Sequence, residues 1–240
     1  MYKGKKIVAI IPARKGSKGI KNKNIKILCG HPLISYSINY AKKSKFIDRV
    51  FVTTDSVKIA NISKKLGAEI IFRPKKLCND VVMSDYAVVH AIKYIENNLK
   101  YKFDYIVFLQ PTTPLRKKGE IDDAIILGIT KKLDTVFSST NYKPFLWKKF
   151  KNTLKPTSFN PYKRKRRQID SNINETGSYY ITKKDIFIKF KNRFGKKVQC
   201  FNSDIHSALE IDELNEFKYV SYLLNTSIPK KFNILIPKKN

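Results

Sequence analysis

Strand-like apolar runs alternate with helical patterns through the first half of the chain, and that alternation narrows the possible folds more than any other feature. Lys6–Ile11 reads as a buried strand, and Pro32–Lys43 has helical apolar spacing through Leu33, Ile34, Ile38 and Ala41. Arg49–Thr54 and Glu69–Phe72 read as strands, separated by a helix at Val57–Leu66 that Gly67 stops. Ser84–Leu99 reads as a long helix, Tyr105–Leu109 as a very apolar strand, Glu120–Thr130 as a helix and Thr135–Ser139 as a strand. Strands separated by helices in this way predict a mostly parallel sheet with helices on both faces. Such sheets bind ligands at the carboxyl ends of their strands. The polar loops of this chain fall there: after Ile11, at Thr54-Asp55, and over Gln110–Arg116.

From Asn141 to Asn174 the pattern breaks into aromatic, proline and basic residues, which predicts a loop or hairpin excursion within one domain. Regular structure resumes with a strand at Gly177–Thr182, a helix, a strand at Val198–Phe201 and a helix near Leu214–Leu224. Residues 1–227 are therefore expected to form a single domain. The tail Ile228–Asn240 is expected to be weakly ordered or a surface strand.

The net charge of +30 comes from lysines spread along the whole chain, which fits a general lysine-rich surface better than a dedicated nucleic-acid arm. Lys163–Arg167, with Phe159 and Tyr162 nearby, keeps a basic nucleic-acid-binding protein as a rival reading. Three well-separated cysteines, Cys29, Cys78 and Cys200, give neither a disulfide framework nor a zinc site. The apolar run Ile7–Ile11 is too short for a signal peptide, and no segment approaches the about 20 apolar residues that span a bilayer. The expectation is a soluble cytoplasmic protein without a membrane partner.

Three motifs carry chemistry. In IVAIIPARKGSKGIKNKNI, Ile7–Ile25, a buried strand runs into a loop with Arg14, Lys15, Ser17, Lys18, Lys21 and Lys23. Gly16 and Gly19 are expected to let the backbone approach phosphate oxygens. The loop has neither the Walker A ending nor the dinucleotide glycine spacing. In FLQPTTPLR, Phe108–Arg116, two prolines stiffen a loop that offers the Gln110 amide, with Thr112, Thr113 and Arg116 expected as a polar rim. In ALEIDELNEF, Ala208–Phe217, Glu210 and Asp212 are expected on one side of a strand end, where a hard cation such as Mg2+ would relieve their repulsion. Taken alone the segment reads first as a solvated acidic turn and helix start with Asp212 as N-cap, but the chain has only 19 acidic residues and four lie between Glu210 and Glu216, which weakens that reading.

Together these segments resemble the acylneuraminate cytidylyltransferases, the CMP-sialic acid synthetases. IPARKGSKGIKNKNI and LQPTTPLR match the first two motifs of that family, Arg166-Arg167-Gln168 the third, ETGSYYI at Glu175–Ile181 the fourth and Glu210–Asp212 the fifth, in order. The resemblance implies an α/β, three-layer nucleotide-diphospho-sugar transferase-like fold with a small dimerisation excursion, usually in a homodimer. It implies transfer of CMP from CTP to a nonulosonic, sialic-type acid, with Mg2+ as cofactor and release of pyrophosphate. A related nucleotidylyltransferase for another sugar acid or a sugar phosphate is the alternative. By matching position, Arg14, Ser17, Lys18, Lys23, Asn24, Arg73 and Ser84 would bind nucleotide, and Arg14, Lys23 and Asp212 would be catalytic. Gln110, Lys148, Arg167 and Tyr180 would serve the sugar, and Asp212 and Glu210 the metal. Two departures stand out: Glu210 replaces a first aspartate, and Thr176-Gly177 replaces an Asn-Gly step.

Overall fold

The computed structural model describes residues 1–78, 83–142, 145–163 and 172–238. In chain order the strands and helices are β1 (Ile7–Pro12), β2 (Ile27–Leu28), β3 (His31–Pro32), α1 (Leu33–Lys42), β4 (Arg49–Thr54), α2 (Val57–Lys65) and β5 (Glu69–Phe72). Then follow α3 (Ser84–Asn97), β6 (Tyr105–Leu109), α4 (Glu120–Thr130), β7 (Thr135–Tyr142), β8 (Trp147–Phe150) and β9 (Thr153–Pro156). The chain continues through β10 (Asn172–Lys183), α5 (Lys184–Phe190), β11 (Val198–Asn202), α6 (Leu214–Leu224) and α7 (Ile228–Lys231).

One seven-stranded sheet, ordered β11-β7-β10-β6-β1-β4-β5, organises the molecule. β1 pairs in parallel with both β4 and β6, β4 with β5, and β7 with β11. Only β10 runs against its neighbours β6 and β7. The sheet is mostly parallel, as the alternating pattern requires.

β1 shows why the sheet must be covered on both sides. Ile7, Ala9 and Ile11 enter one buried cluster with Ile34, Ile38 and Ala41 of α1 and Ile121, Ala124 and Ile125 of α4. Val8 and Ile10 point the other way, into a cluster with Val88, Ala91, Ile92 and Ile95 of α3 and Phe187 of α5. Burying each such aliphatic side chain is worth about 1.5–3 kcal/mol.

A third cluster fixes the ligand end of the sheet. Phe217, Val220, Leu223 and Leu224 of α6 pack on Ile20 from the basic loop, Leu115 from the proline loop, Ile211 from the acidic segment and Ile234 from the tail. The tail is thus docked. Ile234 bridges to Lys117, and the Leu235 N–H donates to the Arg116 carbonyl at 2.8 Å. Where the sequence led to the expectation of weak order or a surface strand, the tail opens with α7, and its Ile234 is buried at an isolated bridge.

The excursion is a hairpin of β8 and β9, set apart from the main sheet. Trp147, Phe150 and Leu154 are exposed on it.

Candidate active site

The basic loop, the proline loop and the acidic segment meet at the carboxyl ends of β1 and β6. They enclose a cleft of about 410 Å3 lined by Arg14, Ser17, Lys18, Lys23, Asn24, Ser84, Gln110, Thr112, Glu210 and Asp212, among others. Nine of the expected site residues fall here: Arg14, Ser17, Lys18, Lys23, Asn24, Ser84, Gln110, Glu210 and Asp212 supply the polar lining.

The basic loop is shaped by its own backbone. Asn24 Nδ2 donates to the Arg14 carbonyl at 3.0 Å and so ties the two ends of the loop together. Lys15 N–H donates to Asp55 Oδ1 at 2.9 Å, anchoring the loop to the turn after β4. Lys23 is buried and turned toward the acidic segment. Its Nζ donates to Asp212 Oδ1 at 2.7 Å and to the Ile211 carbonyl at 2.9 Å.

The two glycines differ. A Cβ on Gly16 would meet nothing closer than Arg14 Nη1 at 4.0 Å, so that position is open. A Cβ on Gly19 would collide with the backbone carbonyl of Asp212 and lie 3.2 Å from its carbon. Gly19 lines the cleft, and its missing side chain also admits the acidic segment.

That segment is an extended loop, not a strand end, yet it presents its side chains alternately. Ile211 is wholly buried, and its N–H donates to the Thr112 carbonyl at 2.8 Å. Glu210 and Asp212, on either side, both face the cleft. Thr112 Oγ1 donates to Glu210 Oε1 at 2.8 Å, and the Gln110 amide, oriented to suit its neighbours, donates to the same oxygen at 3.1 Å. Desolvation of the Glu210 carboxyl, reinforced by the charge of Asp212, raises its pKa above the usual carboxylate range. Asp212 does not cap α6. Glu213 and Glu216 form the capping box, which leaves the Asp212 side chain to the cleft.

Among the described residues no group of three or more His, Cys, Asp or Glu side chains could hold a metal. Two carboxylates facing a cation-lined cleft nonetheless fit Mg2+, which keeps several waters and uses one or two carboxylates plus phosphate oxygens.

Arg116 departs most from expectation. It is not on a rim but buried, and it donates to Ser178 Oγ, Ser37 Oγ, Thr113 Oγ1 and the carbonyls of Gln110 and Ser178, at 2.6–3.0 Å. Burial lowers its guanidinium pKa to about 10. It clamps the proline loop to a bulge in β10, where the register shifts between Glu175 and Tyr180. The bulge contains Gly177 at φ +70, and a Cβ there would press on the Gln110 side-chain amide at 2.9 Å. The neighbouring Thr176 is buried, its hydroxyl donating to Ser138 Oγ at 2.7 Å, so it faces the sheet. Sequence reasoning gave no role to Ser37, which lies in no motif, or to Ser178, which lies within ETGSYYI.

Arg73, Tyr180 and Lys148 lie outside the cleft lining. Arg73 is buried just after β5, its Nε has no hydrogen-bond partner among the described residues, and burial lowers its pKa. Tyr180 is buried opposite Phe108, with rings 5.5 Å apart, and its hydroxyl donates to Glu175. It therefore supports Phe108, which does line the cleft. Lys148 is exposed on β8, opposite Lys155 of the hairpin. Arg166, Arg167 and Gln168 lie outside the described residues, with most of the Lys163–Arg167 run.

A mostly parallel sheet with a cationic loop and an acidic segment at one cleft defines a nucleotidyltransferase-like α/β protein. The fold is shared with CMP:2-keto-3-deoxy-manno-octonic acid synthetase complexed with CTP, at TM-score 0.68 and 15% identity over 91% of this chain and 98% of that one. It is shared too with 4-diphosphocytidyl-2C-methyl-D-erythritol synthase from Anaerococcus prevotii, at TM-score 0.66 and 13% identity over 93% and 100% of the two chains. The cytidylyltransferase family profile matches residues 8–228, and the chain belongs to that family.

Among its relatives, the N-acylneuraminate cytidylyltransferase of Escherichia coli O18:K1:H7 is 32% identical over 89% of this chain. The chain spans about half of that protein (51%). The CMP-N,N'-diacetyllegionaminic acid synthase of Campylobacter jejuni is 30% identical over 94% of this chain and 99% of its own length. The post-translational flagellin modification protein B of Campylobacter coli is 30% identical over 91% and 94%.

Proposed function

We propose that this protein activates a nonulosonic acid with CTP, giving a CMP-sugar and pyrophosphate. One observation carries the reading: Arg14, Lys18 and Lys23 share a single cleft with Glu210 and Asp212. The anomeric hydroxyl of the sugar acid attacks the α-phosphorus and pyrophosphate leaves, with no covalent enzyme intermediate. Positioning and charge neutralisation supply most of the rate.

Arg14, Ser17, Lys18 and Lys23 grip the triphosphate, with Arg14 and Lys23 stabilising charge on the leaving pyrophosphate. Asn24, Arg73 and Ser84 serve the nucleoside side. Gln110 addresses sugar hydroxyls from a loop that Arg116 holds still. Asp212 and Glu210 would hold Mg2+, whose charge would neutralise phosphate oxygens.

The protein works in the cytoplasm as a homodimer. The exposed Trp147, Phe150 and Leu154 of the β8–β9 hairpin support that assembly, and a second copy offers Lys148 and Arg167 a route to the sugar carboxylate. Light scattering on a sizing column gives twice the chain mass if this is right. The decisive assay is pyrophosphate release with CTP and Mg2+ across a panel of nonulosonic and octulosonic acids. Release with at least one acid, and far less with UTP, supports the proposal. No release with any member overturns it.

A further inference from the structure

The cleft holds two features that the proposed chemistry asks to act separately, yet the fold joins them. Lys23 is a cation paired with the acidic segment, and Asp212 is a candidate metal ligand. Their charged atoms are 2.7 Å apart, with the lysine side chain 11% exposed and the carboxylate 62% exposed. The lysine is aimed there by its backbone. Asn22 sits in the left-handed region at φ 56, and Lys23 opens a single 3-10 turn that folds back toward Ile20. A second hydrogen bond, to the Ile211 carbonyl, holds the ammonium along the acidic segment. Gly19 completes the contact by admitting the Asp212 backbone.

An ammonium and a divalent cation compete for the same carboxylate. We propose that Lys23 is a placeholder cation, occupying Asp212 until the phosphates of a nucleotide draw the ammonium away. This rests on the functional reading above and adds an order to it: the nucleotide-free protein binds divalent cations poorly, and nucleotide binding uncovers the acidic site. The half-exposed carboxylate makes the exchange feasible, because water reaches Asp212 as the pair opens. By linkage, the cation then strengthens nucleotide binding by the same factor.

The test is titration of nucleotide-free protein with Mn2+, read by electron paramagnetic resonance, so that no cation–nucleotide complex confuses the result. Lys23→Met is expected to bind Mn2+ about tenfold more tightly than the wild type, since a unit positive charge beside the ligand is gone. Lys23→Arg keeps the charge and stays as weak as the wild type. Lys23→Met combined with Asp212→Asn loses the gain. Lys23→Gln, which retains a donor for the Ile211 carbonyl, serves if the methionine variant does not fold. Equal or weaker Mn2+ binding by the neutral variants overturns the placeholder role. Metal-free titration of the wild type with CTP tests the functional reading separately: absence of CTP binding there refutes that reading, whatever Mn2+ shows.

Discussion

Gly19→Ala tests the architecture of the cleft with a single methyl group. The substitution carries no backbone penalty, because Gly19 is not among the positive-φ residues. The added Cβ falls well inside the 3.0 Å that real Cβ contacts essentially never breach, and its neighbour is the backbone of Asp212. A carbonyl cannot rotate aside as a side chain does. The loop and the acidic segment must part by roughly 1 Å, a displacement that costs about 10²-fold in rate when it misplaces reacting groups. Overpacking of this kind also costs roughly 1–3 kcal/mol of stability. Gly16→Ala is the internal control, since its Cβ would meet only an arginine tip at 4.0 Å. Steady-state pyrophosphate release, with thermal unfolding in parallel, separates the two effects. Gly19→Ala should fall about 10²-fold in kcat/KM while still folded, with Gly16→Ala near wild type. A Gly19→Ala enzyme within twofold of wild type refutes the claim that this contact sets the cleft.

Arg116→Met removes the donors to Ser37, Thr113, Ser178 and the Gln110 carbonyl, so urea unfolding should show a loss of about 2–4 kcal/mol; a loss under about 1 kcal/mol contradicts the clamp. Gly177→Ala places a Cβ at positive φ against Gln110, and it should raise KM for the sugar acid more than for CTP; equal changes argue against Gln110 as the sugar contact. The Asp134 pKa lies below its ordinary value, chiefly because the Lys197 N–H donates to its carboxylate and also through Lys183. A depressed carboxylate stabilises the fold above its unfolded pKa, about 3.9, and the contribution fades as pH falls through the lower folded value. Asp134→Asn should therefore unfold more easily than wild type in denaturant at neutral pH, with the gap closing as pH falls from the unfolded value through the lower folded one; a gap independent of pH excludes the linkage.

The strands were legible where apolar runs are continuous and sharply bounded. Arg49–Thr54, Glu69–Phe72 and Tyr105–Leu109 carry the bounds read from sequence, as do the helices at Glu120–Thr130 and Leu214–Leu224. The cleft was legible because each polar segment follows a strand or precedes a helix in a way that local pattern reveals. Arg116 was not, since an arginine after prolines reads as exposed. Its burial depends on hydroxyls supplied by Ser37 and by a β10 bulge 62 residues away. Tyr180 was placed on a strand correctly, but the face it presents is set by the register with Phe108, which periodicity alone leaves open. The docking of the tail was equally hidden, because Ile234 acquires a buried partner surface only when α6 is in place.

The pairing of Lys23 with Asp212, 189 positions apart, has a consequence for biosynthesis. While the chain is still being translated, the first β-strands can assemble around their apolar residues, but the cationic loop stays without its opposing wall until the residues through Asp212 have left the ribosome. A product cut short before Glu210 should retain much of the sheet and still possess no usable catalytic pocket.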